Sequence, residues 1–192
     1  MNNHWLQHVN VKVMAESSPE DLSLFIPVFH RWIQSHKVPE LLLDVADYRH
    51  VPEGPGVILV AHEAIYGFDQ VGNKNGLLYN RRTALTVDPL DALRQEVYAA
   101  INACVFLEEE PELKDSLKFN GGCCEFFFND RALLPNDDNK AAQVSKELEV
   151  FLDSVWGKER YVLKRVGDNR GLLCFSGSTK DFYSAKKVLN AF

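Results

Sequence analysis

Apolar residues recur along the chain at two alternating periods, and each switch between them marks an element. Between His8 and Met14 every second residue is valine, so Val9, Val11 and Val13 share one face. That is the pattern of a strand half-buried against a core. The tract Ser17-Ser18-Pro19-Glu20-Asp21 then starts a helix, with proline near the first turn and carboxylates at the positive end of the dipole. Leu22, Phe25, Ile26, Phe29, Trp32 and Ile33 follow at spacings of three and four, forming one broad apolar face. Pro27 falls inside the pattern and predicts a kink or a restart.

Leu41 to Ala46 is an apolar run that predicts a buried strand, and Val57 to Ala61 predicts another beyond a loop holding Pro52, Gly54, Pro55 and Gly56. The tract Val71-Gly72-Asn73-Lys74-Asn75-Gly76 is turn chemistry, and Leu77-Leu78-Tyr79 reads as the returning strand of a hairpin. Asp88-Pro89 opens a helix whose apolar positions run from Leu90 to Leu107, ended by Glu108-Glu109-Glu110-Pro111. Cys124 to Phe128 reads as a strand entered through Gly121-Gly122, and Val144, Leu148, Phe151, Leu152 and Val155 space out a helix. Strands Tyr161–Val166 and Leu172–Phe175 and a terminal helix over Asp181–Phe192 complete the order. These elements predict one α+β domain over residues 1–192, an antiparallel-rich mixed sheet covered by helices.

One stretch recurs. Val71-Gly72-Asn73-Lys74-Asn75-Gly76-Leu77-Leu78 matches Val166-Gly167-Asp168-Asn169-Arg170-Gly171-Leu172-Leu173 at the valine, both glycines and both leucines. Two readings stand side by side: a pseudo-duplicated β-α-β-β-α unit with halves 1–110 and 118–192, or two hairpin turns drawing on the same few residues.

Charge narrows the function classes. The 192 residues carry 21 Lys and Arg against 27 Asp and Glu, a net charge of −6, and the basic residues form pairs such as Lys164-Arg165 rather than patches. Nucleic-acid binding is therefore disfavoured. Cys104, Cys123, Cys124 and Cys174 form no CxxC pair. Adjacent cysteines in a strand point to opposite faces, so reduced thiols in a reducing compartment are the expectation. The first residues hold no signal-peptide pattern, and no apolar run approaches the ~18 residues of a membrane span. The expected location is the cytoplasm.

The densest titratable cluster is Asp44, Asp47 and His50, at the spacing D-x-x-D-x-x-H, with His62-Glu63 after the next strand and Tyr66 and Asp69 beyond. Carboxylate with imidazole suits a divalent metal or an acid–base pair, so Asp44, Asp47, His50 and His62 are the candidate catalytic residues. The competing expectation is that Asp47 and Asp69 cap turns while His50 and His62 make ordinary hydrogen bonds. A weaker candidate is an anion site using Arg81, Arg82 and Arg170, whose guanidinium forks match carboxylate or phosphate. The trios Asn129-Asp130-Arg131 and Asp168-Asn169-Arg170 read as local Asx-turns. There is no G-x-S-x-G elbow, Walker loop or dinucleotide glycine pattern, and Cys104 lies on an apolar helix face where burial raises a thiol pKa. No cofactor and no metal ligand set is assigned. The expected function is a binding or interaction module, with a small metal-assisted hydrolase or acid–base enzyme as the alternative. Phe126-Phe127-Phe128 must present at least one ring to the opposite sheet face. A second helical layer is expected there, and a homodimer interface is the other way to cover it.

Overall fold

The computed structural model describes residues 6–52, 54–168 and 170–192. Strand β1 (Val9–Ser17) carries the valine alternation, and Val9, Val11 and Val13 are all fully buried. The side chain of Asp21 accepts a hydrogen bond from the Ser23 N–H and caps a 3₁₀ turn at Leu22–Leu24, which leads into α1 (Phe25–Ser35). Pro27 lies in the first turn of α1, where its missing N–H has no helical acceptor to lose. The expected restart is this junction between 3₁₀ turn and helix. His36 ends α1 in the left-handed region at φ 50°, with its N–H donating to Ile33 O and that of Lys37 to Trp32 O. The chain thereby reverses into Val38-Pro39-Glu40.

The remaining elements are β2 (Leu42–Asp47), β3 (Val57–Ala61), β4 (Ala64–Asp69), β5 (Gly76–Arg81), α2 (Pro89–Glu109), β6 (Lys118–Phe128), α3 (Asp138–Val155), β7 (Tyr161–Val166), β8 (Leu173–Thr179) and α4 (Ala185–Leu189). Asp88 caps α2 by accepting from Leu90 N–H, with Pro89 as its first residue, and Asp137 caps α3 by accepting from Lys140 N–H. Both starts follow the usual preference for Asp at the cap.

The eight strands form one sheet in the order β2-β3-β4-β5-β1-β6-β8-β7, and every neighbouring pair is antiparallel. With four α-helices among the described residues, the fold is α+β. The helices share one face. Phe25 of α1 stacks on Phe68 of β4 at 4.7 Å between ring centroids. From α3 and its end, Leu152 and Trp156 lie against Gly177, where an added Cβ would sit 2.9 Å from the indole ring. Val188 of α4 packs on Gly121, and α2 crosses β1 and β5.

Register shows how the faces differ. One row across all eight strands reads Val45, Leu59, Tyr66, Tyr79, Val11, Phe126, Phe175 and Arg165. It faces the helices. The next row reads Ala46, Ile58, Gly67, Leu78, Lys12, Glu125, Ser176 and Lys164. It faces away from them.

Four expectations change. The run Leu41 to Ala46 is the edge of the sheet rather than a buried strand, with Leu41 56% and Leu43 51% exposed. An apolar run does not reveal whether a strand ends up central or outermost. Strand β4 was not expected, because Gly67 interrupts its alternation. Gly121-Gly122 lies within β6, near the register shifts between β1 and β6, rather than at its entrance. Among the described residues no second helical layer covers the sheet: Phe126 and Phe128 are fully buried beneath the helices, whereas Phe127 points to the other face and is half-buried.

Candidate functional site

The α1–β2 connection, β4–β5 and α2 enclose a cavity of about 400 Å³. Each wall has a local cause. Tyr66 and Tyr79 are cross-strand partners in the helix-facing row, with rings edge to face at 5.0 Å, so both hydroxyls rise on the same side of the sheet. Arg81 follows two residues after Tyr79 on that face. Arg94, Tyr98 and Asn102 stand at intervals of four along one flank of α2, the spacing that stacks side chains over successive turns. Helix α1, which leads into the loop carrying Glu40, is tied to the far end of α2, where Trp32 Nε1 donates to Glu110 Oε1 at 2.6 Å. Arg31 donates to Glu110 at 2.5 Å and to both Glu112 oxygens at 2.8 Å.

The floor is polar and connected. Arg81 Nη1 donates to the Tyr79 hydroxyl at 3.4 Å, and that hydroxyl donates to Glu40 Oε1 at 3.2 Å. Arg81 Nε is spent on Thr83 O at 3.1 Å. The second carboxylate oxygen, Glu40 Oε2, is buried and has no hydrogen-bond partner among the described residues. A buried acceptor left unmatched carries a desolvation cost of ~1–3 kcal/mol, so it marks where a donor fits. Burial pushes the Tyr66 hydroxyl pKa far up, with the Glu40 charge and a hydrogen bond from Tyr66 to the Glu40 carboxylate adding to it, while burial and the Glu40 charge raise Tyr79. Both tyrosines are neutral donors at physiological pH.

The rim has a different character. Arg94, Gln95 and Tyr98 are exposed, Tyr98 meets Phe192 edge to face at 5.7 Å, and the Arg94 guanidinium lies 6.0 Å from the Phe192 ring centre. Arg94 forms no ion pair among the described residues. Beside these lining residues, on the inner side of α2, Glu96 is fully buried and neither of its oxygens has a hydrogen-bond partner among the described residues. Burial pushes its carboxyl well above the usual range, with the Arg81 guanidinium and the Val9 backbone N–H pulling the other way.

The D-x-x-D-x-x-H cluster is laid out along a hairpin. Asp44 is in register with Val60, two residues before His62, while Asp47 is in register with Val57 at the opposite end. Four strand steps of ~3.4 Å separate Val57 from Ala61, so Asp47 and His50 stand apart from His62. Asp47 accepts Arg49 N–H at 3.0 Å and a fork from the Arg49 guanidinium at 2.9 and 2.8 Å. Those bonds hold its pKa down at about 2. His50 stacks on Tyr48, and exposed His62 reaches Glu63 at 3.3 Å. Among the described residues no group of three His, Cys, Asp or Glu side chains is placed to hold a metal ion.

Of the three arginines, Arg81 is in the cavity wall, Arg82 is exposed beside it, and Arg170 is in the β7–β8 turn. In that turn Asp168 Oδ1 accepts from Arg170 and Gly171 N–H at 2.9 and 3.1 Å; Asn169 lies outside the described residues. Asp130 likewise accepts from Ala132 and Leu133 N–H. All four cysteines are free thiols, with Cys124 buried under the helices and half-buried Cys123 on the other face. Burial raises Cys104 and Cys124 well above the usual thiol range and Cys174 to about 12. No described helix is long and apolar enough to cross a membrane.

Sequence reasoning placed Tyr66 and Arg81 among the candidate site groups but not Glu40, Tyr79, Arg94 or Tyr98. The signal that could have found the wall is the Arg94-Tyr98-Asn102 stripe, polar and aromatic at helical spacing beside the apolar face of α2. No protein-family model matches the chain, and no curated protein matches it in sequence.

Proposed function

We propose that the protein is a binding module and that the cavity between the α1–β2 connection, β4–β5 and α2 takes a small organic ligand. The observation carrying this reading is Glu40 Oε2, a buried acceptor without a donor in the floor of a largely apolar cavity. A concave apolar site with a few convergent polar groups is how small-molecule sites are built. The Arg81–Tyr79–Glu40 chain supports it further, because it fixes the carboxylate before any ligand arrives. The acid–base or metal-assisted alternative would draw on Asp44, Asp47, His50 and His62. Their division between two ends of a hairpin supports it less.

The test is a small-molecule screen by ligand-observed NMR on the full chain, followed by binding to Ala99→Trp, which fills the cavity from its α2 wall. Compounds that bind the parent and lose at least about tenfold affinity in the variant support the reading. Hits that bind both proteins alike would overturn it. Elemental analysis of protein purified without chelator addresses the alternative: a stoichiometric transition metal lost on His62→Ala would replace the binding reading with the enzymatic one.

A further inference from the structure

Resting on the cavity reading, we infer that the ligand is a small aminocarboxylate: an amine or ammonium seated on Glu40, an apolar body between the aromatic rings, and a carboxylate held by Arg94. Two unmet electrostatic demands of opposite sign carry this. Glu40 Oε2 is buried without a donor among the described residues, at the floor. The Glu40 carboxylate already accepts from Tyr79 and lies against the Tyr66 hydroxyl, yet Oε2 has no partner at full hydrogen-bond geometry among the described residues, and a cationic or neutral N–H completes it.

At the rim, Arg94 is exposed, lies 6.0 Å from the Phe192 ring centre and forms no ion pair among the described residues. A guanidinium over an aromatic ring and without a carboxylate suits a planar anion, which it takes with two parallel hydrogen bonds. Between the two ends the walls are Val38, Pro39, Tyr66, Ala99 and Phe192, which suit an apolar or aromatic body.

Other ligand classes leave one end unmatched. A simple amine places no anion on Arg94, and it meets two arginines, Arg81 and Arg94, against the single Glu40 charge of the lining. A simple carboxylic acid leaves the buried Glu40 oxygen without a donor and brings a second negative charge into the cavity. A molecule carrying both groups answers both demands. Nucleotides are excluded by the same count, since several phosphate charges would share a cavity that holds a carboxylate at its floor.

The experiment uses ligands that share one apolar body and differ only in the groups at its two ends: 4-(aminomethyl)phenylacetate, 4-methylbenzylamine, 4-methylphenylacetate and the neutral 4-methylphenylacetamide, with 6-aminohexanoate as a flexible equivalent. Affinities are measured by calorimetry or NMR titration on the parent, Glu40→Gln and Arg94→Met, with thermal melts confirming that each variant folds. The expected result is that an aminocarboxylate binds the parent at least about tenfold more tightly than either single-ended analogue, the scale of one charge-assisted hydrogen bond. Glu40→Gln should weaken the aminocarboxylate and the amine by about tenfold and leave the acid unchanged. Arg94→Met should weaken the aminocarboxylate and the acid and leave the amine unchanged. A neutral amide that binds as tightly as the aminocarboxylate, or variants that weaken every ligand equally, would overturn the proposal. If neutral compounds bind and Ala99→Trp blocks them while no aminocarboxylate competes, the ligand class falls and the cavity site stands. If no compound binds, both fall.

Discussion

The two faces of the sheet are buried by different physics, and β1 carries both. On the helix side Val9, Val11 and Val13 meet Phe126, Phe128 and α2 in a continuous apolar cluster. On the other side, with no helix above it among the described residues, Lys12 is only 2% exposed and Asn10 6%. Lys12 forms an ion pair with Asp69. Its register partner Glu125 binds Lys74 at 2.6 Å, and Lys74 belongs to the β4–β5 turn. Two ion pairs, Lys12–Asp69 and Lys74–Glu125, thus stand side by side over the middle of the open face. The first face is held by area removed from water, which tolerates shape changes within limits. The second is held by paired charges, each pair failing when one member is lost, while Asn10 Oδ1 on the same face has no partner among the described residues.

The comparison can be broken at four places. Phe126→Ala should cost about 4 kcal/mol in urea unfolding, the usual scale for emptying a buried phenylalanine site. Phe127→Ala, one residue along on the other face, should cost well under half of that; equal losses would mean the open face is a core of the same kind. Lys12→Ala should cost about 3 kcal/mol because Asp69 is left buried and charged, whereas Lys12→Met with Asp69→Leu should recover most of the loss. A double variant no better than the single would remove the paired-charge account.

The third place is Glu96, whose folded pKa lies above its unfolded value of ~4.3. Its contribution is complete below that value and declines as pH rises above it, since the unfolded chain ionises where the fold resists. Glu96→Gln should therefore match the parent near pH 4 and exceed it by on the order of 1 kcal/mol, about 3 °C in Tm, at pH 8. Thermal melts across that range check it, and a gap that shrinks with rising pH would reverse the sign. The smallest effect belongs to Asp47→Asn. That group is exposed, so its fork with Arg49 should leave Tm unchanged in the same melts.

Much of the fold was legible because period and cap are local. The span Tyr161–Val166, the Asp88-Pro89 start of α2 and the opposite pointing of Cys123 and Cys124 all follow from neighbours in sequence. Edge position is not local, which is why Leu41–Ala46 read as buried. The repeated hairpin shows the same limit. Leu77 is in register with Val13 beneath the helices, but in the second copy it is Leu173, one residue later, that is in register with Phe128 on that face. The matched letters therefore do not occupy matched faces. We nonetheless propose that halves 1–110 and 118–192 are a duplicated unit with β2–β3 inserted in the first, because β5 and β4 lie outward of β1 as β8 and β7 lie outward of β6. The halves should superpose β1 on β6 and β4–β5 on β7–β8; a fit confined to the hairpin turn would end that reading.

By itself the sequence determined the order and type of most elements, the pairing of Asp and Pro at helix starts, and the side of each strand that an alternating residue takes. Those properties depend on bonds and contacts within a few residues. Tertiary structure decided which strand became an edge and that one sheet face stayed without helices among the described residues. It also decided that Glu40, Tyr66, Tyr79, Arg81 and Arg94 meet around one cavity. Convergence of that kind depends on strand order and on how α2 lies across the sheet, and both are set by the packing of the whole apolar surface rather than by any segment's own preference.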